Sequence, residues 1–201
     1  SVNYAMNQLT AANPGKYTYV KYPMNGPETG DPYYTSECGT RRSYYNVNSV
    51  PTMFLDGKST LAPQTQLDLD QSLSQSTFLN IQGAFNVEGN TINVTADFMA
   101  YSDIANAKAY IAVNEKTTTG NVGTNGEKEF HHIMMKMLTS AQGESISINA
   151  GEIHHFEYSF DMSSTHVEEM SDLEVAMWLQ NPTNKEVYNS KFAMEYTEHL
   201  Y

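Results

Sequence analysis

From Phe78 onward the chain alternates apolar and polar residues, with turn residues about every ten positions, and this period-two pattern constrains the fold more than any other feature. Successive strand residues point to opposite faces, so such segments bury one side and wet the other. Eight segments carry the pattern: "FLNIQGAFNV", "TINVTADFMAY", "AKAYIAVNE", "EFHHIMMKML", "ESISIN", "IHHFEYSFDM", "LEVAMWLQN" and "KEVYNSKF". Glu88-Gly89-Asn90 is a hairpin signal between the first two, and Asn181 to Lys185 closes another. The glycine-rich "TTTGNVGTNGEK" reads as a long polar loop. In "LEVAMWLQN", Leu173, Val175, Met177 and Leu179 alternate with Glu174, Ala176, Trp178 and Gln180, giving one apolar face. Residues 77–201 are therefore expected to form an antiparallel Ig-like sandwich, with Trp178 or its alternating partners Val175 and Met177 between the sheets.

Residues 1–76 have a different texture, which makes them a separate α/β unit. Val2, Ala5, Met6 and Leu9 fall on one face of a helix that Asn13-Pro14-Gly15 ends. "KYTYVKYP" reads as a strand. Asp31-Pro32 offers a helix cap followed by a proline at the first helical position, so "DPYYTSECGTRRSYYNV" reads as largely helical. Then come the strand "VPTMFLD", the turn Asp56-Gly57, a short strand "KSTLA", and a helix from about Pro63 to Gln75.

The 23 acidic against 11 basic residues give a formal net charge of −12, which repels phosphate backbones and anionic lipid heads. Nucleic acid and membrane surfaces are accordingly not expected partners. No apolar run approaches the roughly 20 residues that span a bilayer. The first residues lack the basic and apolar regions of a signal peptide, and the chain reads as a mature or trimmed segment of something longer.

The order of elements in residues 1–75, with "SVPTMFLDG" after a helix ending "RRSYYNV", resembles the later part of a thioredoxin fold. Joined to a sandwich carrying "EVAMWLQNPTNKEVYNS", the whole chain is similar to the outer-membrane-protein-28-related family of Bacteroidetes. The resemblance implies an exported protein at the outer membrane, cell surface or exterior. It implies a cis bond at Pro51 and a groove walled by Val50, Pro51 and Thr52. It also implies a cysteine pair at the start of the first helix, yet the chain holds one cysteine, Cys38. That pair and the strand before it would lie upstream of Ser1. Such a strand would sit between "YTYVKY" and "TMFLD", and the gap is expected to be filled: by an upstream segment, by a tail such as "AMEYTEHLY" from this or another copy, or by closure of the two strands on each other.

A single copy of this sequence cannot perform dithiol exchange. The expected function is therefore a surface-associated binding or structural module without catalytic activity in this segment, its partner a protein or glycan. The alternative is a thiol-disulfide oxidoreductase whose C-x-x-C precedes Ser1. No catalytic, cofactor-binding or metal residue is assigned, and homo-oligomers through unpaired strand edges are an expected consequence of the gap.

The remaining candidates have plain readings. Cys38 lies near the Arg41-Arg42 cations, which favour thiolate, but reads as a small side chain on the inner face of its helix; the arginines read as a solvated helix end. Adjacent histidines point to opposite faces of a strand, so neither His131-His132 nor His154-His155 can chelate one ion, although one from each pair could meet if their strands were neighbours. Tyr33-Tyr34 and Tyr44-Tyr45 read as sharing one helix, one member of each pair packed on the sheet and the other half exposed.

Overall fold

The structure, a computed structural model, describes residues 1–26 and 29–196. Three helices and a small hairpin come first: α1 (Val2–Ala12), α2 (Ser36–Tyr44), β1 (Met53–Leu55), β2 (Lys58–Thr60) and α3 (Gln66–Leu73). The alternating segments then form β3 (Leu79–Glu88), β4 (Thr91–Ala100), β5 (Ile104–Thr118), β6 (Phe130–Met137), β7 (Glu144–Ile148), β8 (Ile153–Asp161), β9 (Leu173–Gln180) and β10 (Val187–Phe192). A two-residue β11 (Met194–Glu195) follows.

These later strands make two sheets. One runs β10-β9-β5-β6, with β7 pairing the first half of β5 on the edge that β6 takes further along. The other runs β11-β3-β4-β8. All pairings are antiparallel except that of β11, which joins β3 in parallel. Ile81, Phe98, Ile111, Val113, Val175 and Met177 belong to the core that the inner faces enclose.

On β9 the single apolar face is a misreading, because all eight residues are buried. Leu173, Val175, Met177 and Leu179 fill the inter-sheet core. Ala176 and Trp178 join a second cluster on the opposite face, with Tyr110, Ala112, Met134, Met137 and Cys38 of α2. Trp178 thus lies beneath the N-terminal segment, not between the sheets. A strand covered on both sides is apolar on both.

The helices differ from expectation at their starts. Thr35, not Asp31, caps α2, its hydroxyl accepting from the Cys38 N–H at 3.4 Å. The Asp31 carboxylate is taken by the Tyr33 N–H at 2.9 Å and the Asn121 amide at 3.1 Å. Tyr33 and Tyr34 therefore precede the helix and do not share it with Tyr44. In α3, Thr65 and Asp68 form a capping box. An amide pair between Asn13 and Gln66, at 2.7 and 3.1 Å, ties the end of α1 to α3.

Residues 17–22 form no strand of a sheet. Lys21 makes one parallel bridge to Ile133: its N–H donates to His132 O at 2.8 Å and its carbonyl accepts from Met134 N–H at 2.9 Å. β1 pairs with β2. The two stretches do not close on each other, and Met194–Glu195 of the C-terminal stretch goes to β3 instead. Residues 197–201 of that stretch lie outside the described residues.

The β1–β2 hairpin turns at Asp56-Gly57, both at positive φ, and Asp56 O accepts from Val187 N–H at 3.0 Å, docking the tip on β10. Gly57 has φ +82°, and a Cβ there would sit 1.6 Å from Lys185 O. Gly57→Ala is expected to cost about 2–3 kcal/mol through the strained dihedral and the displaced turn, read as a lower denaturation midpoint at unchanged slope. An unchanged midpoint would show that the hairpin is not anchored through this contact.

Candidate functional site

The outer face of the five-stranded sheet carries a groove of about 930 Å3. Trp178, Val187 and Ser190 of β9 and β10 contribute to its floor, Thr18–Met24 to one wall and Val50–Phe54 to the other, and Ser1–Asn3 also border it. The expected groove residues Val50, Pro51 and Thr52 are all exposed at this rim, and the Val50–Pro51 bond is cis. Thr52 Oγ1 donates to Ser49 O at 2.5 Å, closing the rim loop on itself. Arg42 holds the loop from behind, with Nε on Val47 O at 3.1 Å and Nη1 on Asn25 Oδ1 at 3.3 Å.

The neighbouring Arg41 overturns the solvated-helix-end reading, because it is 1% exposed. It stands three residues after Cys38 and so shares that residue's inward face. Its guanidinium carbon lies 4.3 Å from the Tyr110 ring centroid, 4.5 Å from Tyr44, 5.1 Å from Tyr45, 5.8 Å from Tyr22 and 5.9 Å from Trp178. Nη1 donates to Ala141 O at 3.2 Å, while Nε and Nη2 have no hydrogen-bond partner. Among the described residues no carboxylate pairs with it. The cation is held by ring faces, and these include groove residues Tyr22, Tyr45 and Trp178. Burial pushes the Tyr22 phenol up to about 12, so it is neutral at ordinary pH. Nothing in the local pattern "GTRRSYY" separates Arg41 from Arg42; only the helix phase set by Cys38 does.

The opposite wall is fixed by a buried polar clasp. His132 Nδ1 meets Glu174 Oε1 at 2.6 Å, Asn114 Nδ2 donates to the same oxygen at 3.1 Å, and Asn114 Nδ2 also reaches Tyr19 O at 2.9 Å. Lys21 donates to Asn3 Oδ1 at 2.9 Å; burial pulls its pKa down to about 8, against the upward pull of Glu127 and Asp31. Among the described residues the other histidines take part in no such clasp. His131 pairs with Glu129 at 3.0 Å and His155 with Asp97 at 2.6 Å. The strands that carry the two histidine pairs, β6 and β8, lie in different sheets, so the pairs do not meet. Cys38 is buried on the inner face of α2, as its plain reading holds, and burial pushes its thiol pKa up.

No family model matches the chain, and no curated protein matches it. Among solved structures, a domain of the outer membrane lipoprotein Omp28 from Porphyromonas gingivalis is 10% identical with a TM-score of 0.43, over 60% of this chain and 92% of that one. CsgH from R. palustris is 12% identical with a TM-score of 0.26, over 57% and 88%. A mutant β-glucosidase from Listeria innocua is 11% identical with a TM-score of 0.30, over 62% of this chain and 17% of that one.

Two expectations follow from the walls. Arg41→Ala is expected to lose about 3 kcal/mol of stability, from the ring contacts and the cavity left behind. Arg41→Lys is not expected to restore it, since an ammonium is more strongly hydrated and cannot stack; equal denaturation midpoints for Arg41→Lys and the parent would refute the ring-cage account. For Lys21, a folded pKa near 8 against the ordinary 10.5 means that the unfolded chain binds more protons between those values. Its contribution to stability therefore rises with pH from about 8 to 10.5 and is constant below 8. The difference between parent and Lys21→Met stabilities, measured from pH 7 to 10.5, should change over that window and be flat beneath it.

Proposed function

We propose that this chain is an exported, surface-associated binding module whose groove takes up a polypeptide partner. The observation that carries the reading is the groove itself: a rim at Val50, Pro51 and Thr52, a floor that includes the chain's single tryptophan, and walls pinned to the sheet from both sides. Apolar concavities with a few fixed polar groups are the usual form of a binding site. The rim residues Val50 and Pro51 are exposed and apolar, which favours a partner that carries apolar side chains, a polypeptide, over a glycan. Export and membership of the Omp28-related family rest on the resemblance of "SVPTMFLDG" and "EVAMWLQNPTNKEVYNS", and the net charge of −12 argues against nucleic acid as the partner. Among the described residues no helix is long and apolar enough to cross a membrane.

One observation favours a second reading, thiol-disulfide exchange by a cysteine pair placed before Ser1: the start of α1 and the Val50–Thr52 loop border the same groove. Insulin-disulfide reduction by a protein carrying C-x-x-C directly before Ser1 would put that reading first. Cys38 does not serve in its place, since it is sealed under α2.

Trp178 provides the test of the binding reading. A permanently unfolded probe, reduced and carboxymethylated lactalbumin, is expected to change Trp178 emission saturably, and a neutral oligosaccharide such as maltohexaose is not. Val50→Arg, at a position already half exposed, should weaken the response to the unfolded probe about tenfold without lowering thermal stability. Equal binding by parent and variant, or a response to the sugar alone, would overturn the proposal.

A further inference from the structure

We propose that the free edge of β8 pairs with β8 of a second copy, antiparallel about a two-fold axis, so that the sheet β11-β3-β4-β8 runs on through a homodimer. β8 borders the sheet that does not carry the groove, so any segment seated in the groove leaves this edge unchanged.

Register decides which groups of the edge are free. The β3–β4 hairpin closes at Glu88 and Thr91 across a two-residue turn, and such a closing pair exchanges both of its hydrogen bonds. Bonding then alternates, so Ile92, Val94, Ala96 and Phe98 turn to β8, where they meet Phe160, Tyr158, Phe156 and His154. The bond from Met162 N–H to Asn90 O, at 2.8 Å, has the same parity. The N–H and C=O of Ile153, His155, Glu157, Ser159 and Asp161 therefore point out of the sheet, and no hydrogen bond among the described residues uses them.

Other edges of the two sheets are covered or blunted. β11 lies along part of β3, a bulge interrupts β10, and the Asp56 carbonyl takes the Val187 N–H. Lys21 bridges β6, whose Met137 N–H goes to the Glu37 carboxylate at 3.0 Å. β8 has none of these devices: its nine residues keep unbroken register with β4 and include no proline, glycine or lysine. An edge of that kind is a template for pairing with another chain.

The side chains single out a second copy as the occupant. With the axis between two copies of Phe156, Ile153 falls opposite Ser159 and His155 opposite Glu157, and the symmetry makes each pair twice. His155 Nδ1 is already on Asp97 Oδ1 at 2.6 Å. Its Nε2, across the ring, faces away from Asp97 and is open to the incoming carboxylate. Ile153, 60% exposed, gains cover. Moving the axis to Glu157 would set that carboxylate against its own copy, a like-charged pair that destabilises a sheet. The net charge of −12 on each copy opposes association. At about 0.15 M salt, however, it is screened beyond about 8 Å, whereas paired strands lie about 5 Å apart.

The test is sedimentation and amide hydrogen exchange of the full chain at about 5 and 500 µM in about 0.15 M salt. A dimer is expected at the higher concentration, with exchange at His155, Glu157 and Ser159 slowed at least tenfold and that at Val20 and Tyr22 unchanged. Glu157→Pro removes an N–H that bonds nothing within the chain, so it should keep the parent's thermal midpoint and weaken the dimer at least tenfold. A nitroxide on Ser159→Cys should report about 20 Å across the axis, because Ser159 faces Ile153 and the second label lies six residues along that strand. A monomer at both concentrations, protection at the groove instead of β8, a label distance well short of 20 Å, or a Glu157→Pro dimer as tight as the parent's would each overturn the proposal. If Glu157→Pro does not fold, the parent's exchange pattern and the label distance decide it.

Discussion

The five-stranded sheet is apolar on both faces, and the arrangement of residues 1–75 follows from the need to cover the second one. Tyr110 and Trp178 stack there at 4.9 Å and 10°, flanked by Met134 and Met137. Left to water, these side chains would form a contiguous apolar patch of the kind that drives association. Burying each large side chain is worth about 1.5–3 kcal/mol. The same coverage explains how strands as apolar as β9 can sit in the middle of an antiparallel sheet.

Covering a ring-rich face with a helix raises the question of what the helix should present to it. α2 presents Cys38, which is small, and Arg41, whose planar cation lies over rings without needing a carboxylate. Desolvating a charge is costly, and five ring faces offset that cost only while the helix keeps one rotation about its axis. Arg42, a step further round the helix, points to the other side and ties Val47 O and Asn25. One turn of helix thus fixes both the floor beneath the groove and the loop that forms its rim.

The strands were legible because period two needs no knowledge of distant residues. The second buried face was not, because Glu174 and Gln180 on β9 look like solvent-facing letters. They are buried only because distant groups satisfy them: Asn114 and His132 bind Glu174, and Gln180 Nε2 donates to Tyr45 Oη at 2.9 Å and Lys185 O at 2.7 Å. The start of α2 was misplaced for a related reason. Asp31-Pro32 imitates a helix cap, but its carboxylate is claimed by Asn121 in a loop far along the chain. At the candidate site, the rim residues Val50, Pro51 and Thr52 came from a local pattern. Trp178 and Val187 of the floor lie more than one hundred residues away, where no local period could place them.

The groove persists because its walls are pinned near opposite edges of the sheet. Residues 17–22 are held through Lys21 on β6 and Asn114 on β5, and the hairpin through Asp56 O on β10. In the order β10-β9-β5-β6 those anchors are separated by the strand that carries Trp178. Sliding the walls together would break main-chain bonds at one anchor to form similar ones at the other, with no net gain. It would also pull Tyr22 or Tyr45 away from Arg41 and leave that cation with fewer ring faces. The interactions that hold the N-terminal layer to the sandwich are therefore the same ones that set the distance between the walls of the groove.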